Sequence, residues 1–413
     1  MVRKNILAIH RWPDKFADYD GFIDSDKYRV SYLVNSSGKK GINPESNLTG
    51  KVFELDDLTQ IDTLLECSRK IIEEFGPINK IIALSEKDLT QAAILRTELS
   101  VPGMQKNQVQ FFRDKVAMKL KVKKGNIRVP EFLDCENSLN TLAFIEKIGY
   151  PVILKPKDSS GSQGVHLIHN DEQLQITLQI IDISNYECEE YISGPIFHID
   201  GLVHAQEIVF STVSKYLNTC LDYNNGKPLG SVAIDDQFLR NKLLHFAQKV
   251  LTVLELDNSA FHLEIILQDE REPVFLEIAA RVGGGGTPIL IKDLYGINLV
   301  QEWIKMEIEE FCGLNPINKL ILGGDLLIPE PRETPCKVIR CKQLKGTIAT
   351  LYKEILPEPG EILDGNGGYN HISGTFLYKG NSSKEIEADM EKTISSFEIK
   401  YEKLEKSKTL VHS

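Results

Sequence analysis

The stretch whose reading decides the fold is Phe261-His262-Leu263-Glu264-Ile265-Ile266-Leu267, a polar turn from Gln268 to Glu272, then Val274-Phe275-Leu276-Glu277-Ile278-Ala279-Ala280-Arg281 and Gly283-Gly284-Gly285-Gly286-Thr287-Pro288. Both apolar runs are strand-length, and the turn between them predicts a hairpin. Each run holds one glutamate. A carboxylate in such surroundings is costly unless it is paired or bound to a metal. In an antiparallel hairpin Glu264 and Glu277 can point to one face, where hard oxygen ligands suit Mg²⁺, which keeps water and phosphate oxygens in its remaining positions. Arg281 can fork onto a carboxylate or phosphate. The glycine run offers bare N–H groups at an apparent helix start, a second anion site. A buried Glu–Arg structural pair is the competing reading of the same residues.

Upstream, Lys155-Pro156-Lys157-Asp158-Ser159-Ser160-Gly161-Ser162-Gln163-Gly164 follows a strand that ends in lysine. Small residues let backbone N–H groups approach an anion, and the lysine supplies charge. The GKS ending and following helix of a Walker loop are missing. A plain hairpin loop would also read this way. Glu187-Cys188-Glu189-Glu190-Tyr191-Ile192-Ser193-Gly194 places acidic residues at a strand end before a turn. It reads as a hinge between domains whose backbone could meet an adenine edge, or as a solvated acidic edge.

The first 100 residues alternate strands (Asn5–Ile9, Tyr28–Val34, Lys80–Leu84) with a helix over Asp57 to Phe75, which predicts a parallel sheet covered by helices. Ligands of such sheets sit beyond the C-terminal strand ends, where His10, Arg11 and Glu86 would lie. A break follows near Ser100 to Gly103, then a helix from about Gln108 that holds Arg113-Asp114-Lys115. From Val152 the pattern is β-rich, with a long amphipathic helix over Asp235 to Leu256. The tail after Asn315 reads as a smaller α+β module whose last helix begins near Ser383. In that module Gly365 to His371 and Gly374-Thr375 read as turns bordering the pocket or as an ordinary hairpin connection. The final dozen residues read as a frayed polar end.

The chain has 413 residues, 48 basic and 59 acidic, a formal net charge of −11. That length predicts two or three domains. The acidic balance argues against a general nucleic-acid or membrane-surface binder. No apolar run reaches the roughly 18 residues of a membrane span. The N-terminal residues lack a signal peptide's apolar core and cleavage site. The seven cysteines are irregularly spaced with no CxxC pair, which predicts free core thiols and a cytoplasmic protein.

Taken in order, RDK (113–115), LKP with its glycine–serine loop (154–164), EEYI (189–192), FHLE (261–264) and LEIAARVGGG (276–285) resemble the ATP-grasp superfamily of carboxylate–amine ligases. The resemblance spans most of the chain, to about residue 380. It implies an α/β and α+β architecture: an N-terminal Rossmann-like domain (1–100), a small ATP-grasp subdomain with a linker helix (101–190), a large subdomain (191–315) and a C-terminal α+β subdomain with a polar tail (316–413). The two middle units would clamp ATP. Lys115 and Lys155 would contact its phosphates. Ser159, Ser160, Gly161, Ser162 and Gly164 would close over them. Glu189 and the backbone of Glu190, Tyr191 and Ile192 would hold adenine. Glu264 and Glu277 would bind Mg²⁺, with Mn²⁺ as a substitute. Arg281 would face the reacting carboxylate or the transferred phosphoryl group, with Lys155 and Ser162 beside it.

Two departures from the family pattern stand out. No glutamate follows the adenine segment to hold ribose; His198 reads either as taking that role or, equally, as a satisfied strand histidine. Ala279 stands where relatives often carry a metal-binding asparagine. Glu86, His262, Gly284 and Gly285 are expected around the substrate, with Glu86 and His262 as candidate bases; a surface loop glutamate is the leading competing reading of Glu86. The wording EIAARVGGG and the strand Phe197 to Val203 look most like the L-amino-acid ligases that make dipeptides. The resemblance therefore implies ATP-dependent joining of two amino acids through an acylphosphate. Alternatives are a carboxylase-type or nucleotide-pathway ligase using bicarbonate, formate or a nucleotide amine, and a non-catalytic ATP-binding module. Relatives of this kind are often homodimers, and the expectation extends to this chain by analogy.

Overall fold

Strand Lys4–His10, buried from Asn5 onward, pairs in parallel with Tyr28–Val34 and with Ile78–Ala83. Thr49–Glu54 completes a four-stranded parallel sheet at the outer side of Tyr28–Val34. That fourth strand was not foreseen; it is only half-buried, so its sequence lacks a clear apolar alternation. Helix Ile61–Phe75 covers the sheet through Leu64, Cys67 and Ile71. It starts later than its apolar spacing predicts, because the Asp57 carboxylate accepts from the Thr59 N–H and from the Gln60 amide and holds a turn there.

The structure, a computed structural model, describes residues 3–316, 319–365 and 372–404. Asn366 to His371 of the expected pocket-border turn lie outside the described residues. No described helix is long and apolar enough to cross a membrane.

No helix runs through Arg113-Asp114-Lys115. A short helix, Lys106–Val109, and a 3-10 turn, Gln110–Phe112, end before it. A new helix, Lys115–Lys124, then begins with the Asp114 carboxylate accepting from the Val116 and Ala117 N–H groups, both at 2.9 Å. A small antiparallel sheet follows, in the order Phe132–Asp134, Tyr186–Glu190, Val152–Pro156, His166–Ile168.

The largest sheet has eight antiparallel strands. Their order is Glu272–Ala279, Ser259–Gln268, Ile196–His204, Glu207–Tyr216, Leu229–Ala233, Leu322–Pro329, Ile372–Gly380, Leu351–Ile355. Its last three strands come from beyond residue 315, so the expected boundary there runs through one continuous sheet. Among the described residues beyond 315, Ile362–Leu363, Cys336–Cys341 and Ile399–Lys403 form a separate three-stranded sheet. Helix Gln237–Leu254 covers one face of the large sheet through Leu243, Ala247, Val250 and Leu251. Helix Leu299–Glu307 is wedged between the large sheet and the N-terminal one, with Trp303 in a core shared by Tyr32, Leu202 and Phe210.

All seven cysteines are free, but they are not all core thiols: Cys220 and Cys341 are half-buried and Cys312 is exposed.

Candidate functional site

The expected hairpin forms, and its register sets Glu264 directly opposite Glu277, with a bulge just after Glu264. On its other edge the Ser259–Gln268 strand sets Glu264 opposite His198 and His262 opposite Asp200. Alternation along the strands then sends these five side chains to one face. Tyr216 donates to Glu264 Oε1 at 2.9 Å. Lys115 Nζ lies 3.5 Å from Glu277 Oε2 and donates to the Ser159 carbonyl. Burial opposes ionisation of Glu277, yet Lys115 and Lys155 bring its pKa down to about 2. Two ionisable oxygens side by side, with a lysine on only one of them, fit a hard divalent cation.

The pair divides two spaces. On one side is a slot of about 330 Å³ with apolar walls from Ile153, Val165, Leu167, Ile192, Ile196, Ile266 and Leu276. Lys115, Lys155, Ser159, Glu189 and Tyr191 also line it. On the other side is a chamber of about 120 Å³ that reaches His198, Ser231, His262, Arg281, Gly284, Gly285 and Asp325. Ser160 and Ser162 border both spaces. Ser162 holds a left-handed φ of 54°, and Asn224 donates to the Gly161 carbonyl at 2.8 Å, fastening the loop over the junction. Gly164 lies on neither wall; it packs against Pro156 and Tyr186 at the far end of the loop.

Lys155 sits in a buried network of four charges. Its Nζ is 2.8 Å from Glu189 Oε1 and 3.7 Å from Glu187 Oε1. Lys119, wholly buried, lies 3.0 Å from Glu189 Oε2 and donates to Glu187. Burial works against the Lys155 charge, but Glu189, Glu187 and Glu277 hold it above the ordinary lysine range. The Glu189 carboxylate faces two lysines at the wall of the slot. The neighbouring Glu190 carboxylate accepts from Arg128 and from the Glu131 N–H, each at 3.0 Å. The Glu190 N–H is itself bonded to the Glu131 carbonyl at 2.8 Å. Of the hinge residues, Glu189, Tyr191 and Ile192 line the slot and Glu190 does not.

Further expectations meet specific partners in the structure. His198 has both ring nitrogens engaged, with Asp200 Oδ2 at 2.5 Å and Ser231 Oγ at 2.7 Å, and it lines the inner chamber, so it is not placed to hold a ribose beside the hinge. Glu86 accepts from Arg113 at 2.6 Å on one oxygen and from Arg281 at 2.9 Å on the other, which makes it a clamp between arginines and not a free base. His262 lies 2.9 Å from Asp200 Oδ1 and 3.4 Å from Glu264 Oε1. Burial opposes its charge, but the Asp200 and Glu264 carboxylates raise its pKa to about 10. The glycine run leads into helix Thr287–Tyr295, yet the Gly286 N–H already donates to Asp325 Oδ2 at 3.1 Å. The expected anion site at that helix start is filled by the chain's own carboxylate. His10 and Arg11 turn away into structural contacts, with the Trp12 carbonyl and with Asp88.

Residues that the sequence reading passed over complete the site: Asp200 between two imidazoles, Tyr216 on Glu264, Lys119 and Glu187 behind Lys155, and Asp325. Asp200 and Asp325 carried a signal, since each is a lone acid inside an apolar strand. Tyr216 carried none; its role exists only through strand pairing.

Comparison with known proteins agrees with this architecture. Residues 148–289 match the ATP-grasp domain family. An L-arginine-specific L-amino acid ligase of Bacillus subtilis is 26% identical over 336 residues, covering 77% of this chain and 79% of that protein. An alanine–anticapsin ligase of Bacillus amyloliquefaciens is 21% identical over 404 residues, covering 89% of this chain and 78% of its own. The crystal structure of an L-amino acid ligase from Bacillus licheniformis superposes with a TM-score of 0.75 at 19% identity, covering 97% of this chain and all of the other.

Proposed function

We propose that this chain, which carries an ATP-grasp domain and is similar to L-amino acid ligases, uses ATP to join the carboxylate of one amino acid to the amine of another. The observation that carries the reading is the Glu264–Glu277 pair, set opposite each other at the junction of an apolar slot and a polar chamber that contains Arg281. The slot has the apolar walls that an adenine ring needs and a lysine-rich inner end for phosphates. The chamber has room and charge for an amino acid.

Glu264 and Glu277 would hold Mg²⁺, which would supply neutralisation of phosphate charge when bound. The remaining work belongs to the chain. Lys155 and Lys115 bring positive charge to the slot end. Ser160 and Ser162 present loop backbone at the junction. Arg281, held by Glu86, presents its guanidinium to the carboxylate whose oxygen attacks the γ-phosphorus, as the bond from that phosphorus to the β–γ bridging oxygen breaks and ADP leaves. The acylphosphate so formed is attacked at its acyl carbon by the second amine, and the C–O bond to phosphate breaks. No protein nucleophile is required; the catalysis is positioning and charge stabilisation. The loop fastened by Asn224 shields the intermediate from water. The protein would act on free amino acids in the cytoplasm, as a homodimer by analogy with relatives.

The test is phosphate release from MgATP with a mixture of the twenty L-amino acids, followed by mass spectrometry. Amino-acid-dependent phosphate with dipeptide masses is expected. Release stimulated by bicarbonate alone, or none in protein that binds ATP, would overturn the reading.

A further inference from the structure

Asp325 lies in the otherwise apolar strand Leu322–Pro329 and is only 5% exposed. Its Oδ2 accepts from the Gly286 N–H at 3.1 Å, while its Oδ1 is buried and finds no hydrogen-bond partner. Among the described residues no lysine or arginine pairs with it. The facing strand places Ser231 opposite, and that hydroxyl is shared with His198. Glycines make the approach possible. A Cβ at Gly286 would stand 2.7 Å from the Asp325 Cβ, and one at Gly285 would stand 3.4 Å from Oδ2.

Burial raises the Asp325 pKa to about 6, with His198, the Gly286 N–H and Ser231 pulling it back. A buried carboxylate with a bare oxygen is costly, and buried polar atoms in native proteins nearly always have a partner. The other acids around the chamber are committed: Glu264 and Glu277 to the metal position, Asp200 to two imidazoles, Glu86 to two arginines. Asp325 lines the chamber, and Arg281 lines the same chamber with the glutamate pair.

We propose that Asp325 Oδ1 receives the α-ammonium of the acyl-donor amino acid, whose carboxylate lies toward Arg281 and the glutamate pair. This rests on the ligation reading and assigns the chamber to one zwitterion, anchored at both ends.

Hydroxylamine isolates the donor half-reaction. It replaces the second amine, its nitrogen bonds to the acyl carbon, and phosphate departs, leaving a hydroxamate. The probe is an equimolar mixture of the twenty L-amino acids, titrated with MgATP and hydroxylamine. Asp325→Asn should raise the half-saturating amino-acid concentration at least tenfold and leave the KM for ATP within twofold. Asp325→Ser, which keeps an oxygen for the Gly286 N–H, should do the same. In the wild type, the matching des-amino acids should give less than a tenth of the hydroxamate, a measurement that needs no variant to fold. Unchanged amino-acid dependence in either folded variant, or equal use of des-amino acids by the wild type, would overturn the assignment. So would normal hydroxamate formation with lost dipeptide, which would move the ammonium to the second substrate. A wild type that shows no response to amino acids fails the ligation reading itself, whatever Asp325 does.

Discussion

Glu277 meets Lys115 on one edge and Glu264 across the hairpin. Its charge is secured by the lysines before any metal arrives, so removing it deletes an oxygen ligand while disturbing little packing. Glu277→Ala should keep the fold and lose activity by about 3 kcal/mol of transition-state stabilisation, on the order of a hundredfold. Phosphate release alongside circular dichroism checks this; wild-type turnover in a folded variant would remove Glu277 from the metal site. Glu264, Glu277 and Arg281 were legible in the sequence because charge inside an apolar strand is expensive and needs a reason. The same reasoning applied to Asp200 and Asp325 would have found them, since Phe197 to Val203 and Leu322 to Ile328 each enclose one acid. What the sequence could not show was which partner answers each charge. Glu86 looked like a base until two arginines, 27 and 195 residues away in sequence, were seen on its oxygens. His198 looked like a ribose ligand until strand pairing placed it beside Ser231.

Elements deliver these residues through register and close approach. Helix Lys115–Lys124 inserts Lys119 behind the hinge strand, where it and Lys155 share Glu187 and Glu189. The network is wholly internal, so its charges must balance. Lys119→Met would leave two buried carboxylates with one lysine. A broken buried pair costs roughly 3–5 kcal/mol, and Lys155 would be drawn further onto the acids. Urea unfolding should show that loss, together with a raised KM for ATP; a variant as stable as the wild type would mean the network carries little. The glycine run works by space. A Cβ at Gly283 would stand 2.0 Å from Asp200 Oδ1, a rigid carboxylate already held by two histidines. Gly283→Ala should therefore cost about 1–3 kcal/mol as an overpacking change and cut activity by displacing Asp200 or Arg281. Unaltered stability and turnover would show that the run tolerates a side chain there. Strands were legible where burial is one-sided or complete, as with Tyr28–Val34 and the hairpin. The half-buried Thr49–Glu54 strand and the broken helix at Asp114 were not, because edge exposure and a cap override apolar spacing.

Across the whole molecule, Glu86 stands at the end of the N-terminal sheet, Arg113 on the linker and Arg281 at the end of the hairpin. One carboxylate thus ties three parts of the chain beside the candidate site, and Arg113 reaches on to the Asp158 carbonyl, at the start of the glycine–serine loop, at 2.9 Å. The architecture was readable from motif order, but the continuity of the eight-stranded sheet past residue 315 was not, since strand order is set by pairing between distant segments. A ligand at the junction of slot and chamber would touch the small sheet, the large sheet and the loop at once, so its binding free energy adds to the stability of the whole. MgATP at about a hundred times its Kd should stabilise the protein by roughly 2.7 kcal/mol, read as a concentration-dependent rise in Tm. Chelation with EDTA should remove most of that rise, because ATP phosphates would then meet Glu264 and Glu277 without a cation between them, and like charges at such separation repel. The rise should also be smaller in Glu277→Ala with Mg²⁺ present. If ATP with EDTA raised Tm as much as MgATP does, the two glutamates would be bystanders to nucleotide binding and the lysines alone would carry it.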